Sequence, residues 1–148
     1  MTTLLLDANV YDKLQVDDGS RTTLGCLVER GLARVIATPM VVDELRRSPF
    51  GGIPTWFAVA VEAENVTVLG YATLGMTKLG DGEVYKEHRG ESQKVPDAII
   101  ADSADALADV LVSEDRRCRE RLKKISTRCA AMDYQQFREW LLASAVAS

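Results

Sequence analysis

The sequence predicts an α/β fold in three layers, α/β/α, with a twisted, mainly parallel sheet of four to five strands. Short apolar runs without polar alternation recur along the chain, as expected for strands buried on both faces. The segments between them are long enough for helices, which indicates repeated β-α-β units. With 148 residues, 47% of them apolar, the chain can bury one sizeable core, and we predict a single domain over residues 1–148.

The predicted strands are residues 3–6, 33–37, 66–69 and 110–112. Thr38 and Pro39 form an N-cap followed by proline at the first helical position, and this pair predicts a helix that ends near residues 48–49. Further helices are predicted from about 54 to 64, from about 96, and after Asp133, a good capping residue. Residues 70–95 are rich in glycine and charge and predict a long loop with one short helix at 81–87.

Two acidic residues follow predicted strands. Asp7 lies at the end of the first strand. Ser113 lies at the end of the strand at 110–112, and Asp115 comes two residues later. The carboxyl ends of parallel strands share one edge of the sheet, and open α/β folds build their sites there. We therefore expect both carboxylates at the same edge.

Helical wheels separate the remaining acids. Asp97 falls among alanines on the packed side of its helix and near the helix N-terminus, where the dipole favours an anion. Glu44 likewise falls among apolar neighbours, whereas Asp43 points to solvent. The acids predicted to form a solvated helix face are Asp102, Asp105 and Asp109.

Inward carboxylates that converge would repel one another unless a cation lies between them. Divalent ions with oxygen ligands relieve such repulsion, and Mg²⁺ or Mn²⁺ is the expected cofactor. Zinc is disfavoured because His88 is the single histidine and no two of the three cysteines have metal-ligand spacing. We expect His88 to be a surface residue and the cysteines to be reduced.

The overall charge of -4 is unusual for a nucleic-acid-binding protein, but the distribution is uneven. A basic run follows Asp115 and is either a solvated helix face or a contact surface for RNA phosphates. The residues predicted to contact RNA are Arg116, Arg117, Arg119 and Lys123. The N-terminus carries no signal-peptide pattern and the chain no membrane span, so we expect a soluble, cytoplasmic protein.

In five ordered pieces the sequence resembles the PIN-domain family, and in particular its small VapC-like bacterial members. The pieces are LLLDANV at 4–10, PMVVDEL at 39–45, PDAIIA at 96–101, LVSED at 111–115 and FREWL at 137–141. The resemblance implies metal-dependent hydrolysis of RNA, with Asp7, Glu44, Asp97 and Asp115 around Mg²⁺ or Mn²⁺. Asn9 and Ser113 match the supporting polar positions. It also implies an antitoxin partner and a homodimer.

Several alternatives remain open at this stage. Asp7 and Asp97 are also good helix caps, and Asp115 suits a turn. An aspartate-based phosphatase needs a second acid two residues after the nucleophile, and this chain has Asn9 there. A response receiver lacks its phospho-acceptor, because the run ending at Leu69 leads into Gly70. A PIN-like module that only binds RNA or protein is the main alternative. Trp56 and Phe57 either pack in the core or lie in a dimer interface.

Overall fold

The computed structural model describes residues 1–62 and 94–147, with side chains from residue 99 onward in the second range. Elements are labelled within those residues. In chain order they are β1 (Thr2–Leu6), α1 (Ala8–Gln15), α2 (Asp18–Glu29), β2 (Ala33–Ala37), α3 (Pro39–Arg47), β3 (Val59–Val61), α4 (Lys94–Leu107), β4 (Val110–Val112), α5 (Arg116–Ile125), β5 (Ala130–Met132) and α6 (Tyr134–Ala147).

Across the described residues the strands form one sheet with the order β3-β2-β1-β4-β5. Every neighbouring pair is parallel. In the centre, Leu4 lies beside Val35 of β2 on one side and Val110 of β4 on the other. The predicted α/β class with a parallel sheet is therefore confirmed.

The core lies on both faces of β1. Leu4, Leu5 and Leu6 are fully buried, which explains why this strand shows no polar alternation. The helices cover the sheet through apolar residues spaced four apart, such as Val41 and Leu45 in α3. Cys118 and Leu122 of α5 and Phe137 and Leu141 of α6 follow the same spacing. Within the described ranges, no helix is both long and apolar enough to cross a membrane.

The segment after α3 differs from the sequence prediction. The predicted helix from 54 to 64 is wrong: residues 54–58 are irregular and Val59–Val61 forms β3, which pairs with β2. Aromatic packing holds this segment, since the Trp56 ring meets Phe50 edge-on at 5.7 Å between centroids and the Arg21 guanidinium lies 5.0 Å above it. Gly51 adopts a φ of 68°, which glycine tolerates without strain.

The remaining predicted elements are partly confirmed and partly outside the described residues. Residues 66–69 and 81–87, and most of the predicted 70–95 loop, lie outside the described residues. Helix α4 begins at Lys94, two residues before the predicted start, and β5 was not predicted from the sequence. The last helix begins as predicted, since the Gln136 amide donates to Asp133 Oδ1 at 2.8 Å. Trp56 and Phe57 are partly buried against the core, so core packing accounts for much of their apolar surface.

Candidate active site

The carboxyl edge between β1 and β4 is the point where the chain changes its direction of winding. From β1 the chain proceeds to β2 and β3 on one side, and it later returns to β4 and β5 on the other. Open α/β sheets form their crevices at such a switch point. Asp7 and Ser113 directly follow β1 and β4 here, and the Asp7 amide donates to the Val112 carbonyl at 2.9 Å. The two strand ends are thus held side by side.

Asp7 is a buried carboxylate with only 5% of its surface exposed. Its Oδ1 accepts from the Ala8 amide at 2.8 Å, and its Oδ2 accepts from Ser113 Oγ at 2.7 Å and from Asn9 Nδ2 at 3.4 Å. Burial raises the pKa of the Asp7 carboxyl; the hydrogen bonds from Ser113, Ala8 and Asn9 oppose this, and the Asp115 charge adds to it. No cation of the described residues forms an ion pair with Asp7. Among the described residues, Asp7 therefore has hydrogen-bond donors but no ion-pair partner.

Hydrogen bonds tie the 113–115 segment to the start of α1. Ser113 Oγ, which donates to Asp7, also accepts from the Asp115 amide at 3.0 Å. Asn9 Oδ1 accepts from the Glu114 amide at 3.1 Å. The predicted supporting residues Asn9 and Ser113 thus contact Asp7 directly and fix the loop that carries Asp115. Both acids also cap helices. Asp7 caps α1, and Asp115 Oδ1 caps α5 by accepting from the Arg117 amide at 2.9 Å. A capping role therefore does not prevent these two acids from lying at the same edge of the sheet.

The other two predicted acids lie on helices that reach the same edge. Helix α3 begins at the carboxyl end of β2 and packs against α1 and α4, and Glu44 is partly buried in it. Asp97 lies in the first turn of α4, which ends just before β4 and therefore starts toward the carboxyl edge. The Asp97 side chain lies outside the described set. Among the residues that are described, no three His, Cys, Asp or Glu side chains come close enough to form a metal site.

The basic run on α5 has two kinds of member. Arg117, Lys123 and Lys124 are exposed, and Arg116, also exposed, pairs with Glu120 at 2.9 Å. Arg119, which is predicted to contact RNA, is partly buried, and its Nη1 donates to the Ser113 carbonyl at 2.7 Å. That contact anchors α5 to the end of β4 and engages one nitrogen of the guanidinium.

The prediction that Asp102 belongs to a solvated face is wrong. Asp102 is 1% exposed, and its Oδ1 lies 3.5 Å from Arg121 Nη2 of α5. Helix α5 packs across this side of α4 and supplies the cation that makes the buried carboxylate tolerable. Asp109 is exposed, as predicted, and its Oδ2 accepts from the Thr3 amide at 2.8 Å.

Thr38 is a buried polar residue at the same edge that sequence reasoning treated only as a helix cap. It is fully buried and precedes α3, yet its side chain makes no capping hydrogen bond. Its Oγ1 has no hydrogen-bond partner among the described residues. The capping signal was visible in the sequence, but the unused hydroxyl was not.

The three comparisons with known proteins give a limited result. No protein-family model matches the chain, and no curated protein matches it. Among solved structures, it is similar to the crystal structure of VapBC2 from Rickettsia felis bound to a DNA fragment from their promoter. The identity is 14%, the TM-score is 0.47, and the match covers 88% of this chain and 98% of that one. A likeness this remote assigns neither a family nor an activity.

Proposed function

We propose that this protein is a metal-dependent endoribonuclease that hydrolyses RNA phosphodiester bonds, with Asp7, Glu44, Asp97 and Asp115 as its acidic residues. The observation that carries the proposal is Asp7. It is a buried carboxylate at the switch point of a parallel sheet, with a pKa raised by burial and further by Asp115. A buried charge without a cationic partner is costly, and a bound cation removes that cost.

The four proposed ligands are all carboxylates, which is the type of ligand that suits Mg²⁺ or Mn²⁺. Carboxylate oxygens are the ligands that these hard cations prefer. Asp7 and Asp97 would make the most direct contacts, and Glu44 and Asp115 would bind directly or through water. Ser113 and Asn9 hold Asp7 through hydrogen bonds, which is how residues behind a metal ligand orient it. When bound, the ion would polarise the scissile phosphate and lower the pKa of the attacking water.

A polyanionic substrate fits the same edge. Helices α1, α3 and α5 follow β1, β2 and β4 after one, one and three residues, so their N-termini face the carboxyl edge. Helix N-termini favour phosphate groups through their dipoles and free amides. On α5, Arg117, Lys123 and Lys124 are exposed and would contact the RNA backbone. Arg116 would contribute only after leaving Glu120.

Two alternatives lead to different chemistry. The phosphatase alternative is further weakened because Asn9, at the place of the required second acid, donates to Asp7 and accepts from the Glu114 amide. A protein that only binds RNA would use the same sheet edge and the same basic helix as the nuclease. Only the nuclease would cleave the RNA, so an assay of RNA cleavage distinguishes the two.

The test is cleavage of a fluorescently labelled single-stranded RNA by the purified protein with Mn²⁺. We expect cleavage that EDTA abolishes and that Asp7→Asn and Asp97→Asn each remove. Asp43→Asn is the matched control, because Asp43 adjoins Glu44 but pairs with Arg47 at 2.8 Å on the surface. Wild-type activity in Asp7→Asn would refute the assignment, and RNA binding without any cleavage would favour the binding module.

The finer parts of the proposal rest on the sequence resemblance. We propose a cytoplasmic toxin held in check by an antitoxin, and a homodimer. Expression in bacteria should arrest growth, and Asp7→Asn should relieve the arrest. Light scattering that shows a monomer at high concentration would refute the dimer.

A further inference from the structure

The hydroxyl of Thr38 is a buried hydrogen-bonding group that no residue in the described part of the chain pairs with. Thr38 is 0% exposed, and among the described residues Oγ1 has no partner. A threonine at the N-cap ordinarily accepts from an amide in the first helical turn, but Thr38 makes no such bond. Its backbone carbonyl, in contrast, accepts from the Val42 amide at 2.9 Å.

The register of the sheet places Thr38 beside Asp7. Strands β1 and β2 are paired through Leu5 and Ile36. The backbone stays extended at Asp7, with φ -67° and ψ 157°, and at Thr38, with φ -93° and ψ 164°. Continuing the parallel register by two residues pairs these two. Neighbouring strands lie about 4.8 Å apart, and laterally paired residues project to the same face.

By this extension of the register, Asp7 and Thr38, both buried, lie next to each other at adjacent strand ends. One is a carboxylate with no described cation, and the other is a hydroxyl with no described partner. Strands this close allow a single oxygen atom to touch both side chains, as bridging waters do. Buried hydroxyls in native proteins are nearly always satisfied, so an external oxygen is the expected partner.

We propose that Thr38 is a further residue of the active site, whose hydroxyl hydrogen-bonds to an oxygen of the ligand bound in front of Asp7. This inference rests on the proposed function. The oxygen belongs either to a water carried by the divalent ion or to the RNA phosphate. Thr38 would thus extend the site from the β1–β4 crevice to the end of β2.

The test compares Thr38→Val, which keeps the shape and removes the hydroxyl, with Thr38→Ser, which keeps the hydroxyl. In EDTA, Thr38→Val should not lower the melting temperature and should raise it by a few degrees, because an unsatisfied buried hydroxyl is lost. Thr23→Val is the matched control, since Thr23 Oγ1 already donates to the Gly19 carbonyl at 2.9 Å and lies on α2.

Two further measurements identify the source of the oxygen. If it is a metal-bound water, calorimetric titration of the RNA-free protein with Mn²⁺ should show affinity about 10- to 100-fold weaker in Thr38→Val, the usual cost of losing such a partner. If it is a phosphate oxygen, Mn²⁺ affinity should be unchanged and KM for RNA at saturating Mn²⁺ should rise by a similar factor. In both cases Thr38→Ser should retain most of the wild-type Mn²⁺ affinity or KM, because it keeps the hydroxyl.

The results also separate this proposal from the nuclease assignment. If the wild-type protein cleaves RNA and Thr38→Val changes neither the Mn²⁺ affinity nor KM, the role of Thr38 is refuted. The nuclease assignment is then unaffected. A drop in the metal-free melting temperature of Thr38→Val would also overturn it, because the hydroxyl would then have a protein partner. Absence of cleavage by wild type would refute the nuclease, and the Mn²⁺ titration would still decide the role of Thr38.

Discussion

Replacing Ser113 by alanine should destabilise the metal-free protein substantially for so small a change. Ser113 is fully buried, and its hydroxyl donates to Asp7 Oδ2 at 2.7 Å while accepting from the Asp115 amide at 3.0 Å. Alanine removes both bonds and leaves the Asp7 carboxylate more poorly solvated. The side chain therefore matters through its position between two acids.

The magnitude follows from the two bonds. A hydrogen bond to a charged group contributes about 1.5–3 kcal/mol, and a neutral one contributes about 1 kcal/mol. We expect Ser113→Ala to lower the free energy of unfolding by about 2.5–4 kcal/mol, or the melting temperature by about 5–15 °C for a domain of this size. The mutant should still fold, because domains are typically stable by about 5–15 kcal/mol.

The assay is urea unfolding followed by far-UV circular dichroism in EDTA. Ser20→Ala is the control, since Ser20 Oγ donates to Asp17 Oδ2 at the same 2.7 Å. Asp17 keeps other partners, including the Tyr134 hydroxyl at 2.8 Å, so the control should lose less. The loss in Ser113→Ala should shrink as the pH is lowered, because protonation of Asp7 removes the charge that strengthens its bond with Ser113.

A double-mutant cycle isolates the bond to Asp7. In an Asp7→Asn background, Ser113→Ala should cost markedly less, because the charged acceptor is gone. A loss below about 1 kcal/mol in the wild-type background, or an equal loss in both backgrounds, would refute the described coupling of Ser113 and Asp7.

The remaining predictions concern charge and buried hydroxyls. Burial raises the pKa of Asp7 above its ordinary value of 3.8. The stability of the metal-free protein should therefore fall as the pH rises from 3.8 to the pKa of Asp7 in the folded state. Urea unfolding at a series of pH values should show that Asp7→Asn removes this decline, and an unchanged decline would contradict the prediction. Mn²⁺ at 100 times its Kd should stabilise wild type by about 2.7 kcal/mol and leave Asp7→Asn unaffected, as read by thermal melting. Tyr11→Phe should leave stability unchanged or raise it, because the Tyr11 hydroxyl is buried without a partner in the described part of the chain; a loss above about 1 kcal/mol would show a missed partner. Reversing Lys123 and Lys124 to Glu should weaken binding of single-stranded RNA and flatten its salt slope by about 0.7 per lost contact, without changing turnover at saturation, and an unchanged slope would place RNA elsewhere.

Much of the frame of the site could be predicted from the sequence. The bounds 33–37 and 110–112 match β2 and β4, because continuous apolar runs are a local signature of strands buried on both faces. The positions of Asp7 and Ser113 followed from the predicted ends of the strands at 3–6 and 110–112. Helix α3 was predicted from Thr38 and Pro39, and Pro39 is its first residue, because the fixed φ and missing amide of proline suit the first helical position. The Thr38 side chain adds no capping hydrogen bond. These features are encoded within a few residues of where they act.

Other features depended on contacts between distant segments. The wheel of α4 placed Asp102 with solvated acids, but Arg121 on α5 covers and neutralises it. Arg119 belongs to the basic run in the sequence, and only the structure shows that its side chain also reaches the Ser113 carbonyl. The wrong helix at 54–64 had the same origin, because β3 is defined by its pairing with β2. Periodicity shows which face of an element is apolar, but it does not identify the neighbour on the other face.

The sequence by itself determined which chemical groups lie at the ends of the strands: acidic residues after the buried strands β1 and β4, and a basic helix after Asp115. Only the tertiary structure decided which of these groups are satisfied within the chain. Ser113 donates to Asp7, and Asn9 accepts from the Glu114 amide, because adjacent strand ends bring residues about a hundred positions apart to hydrogen-bonding distance. Thr38 is buried at the same edge, and its hydroxyl has no partner among the described residues. Burial and hydrogen-bond satisfaction are properties of packed neighbours, and no local pattern records them.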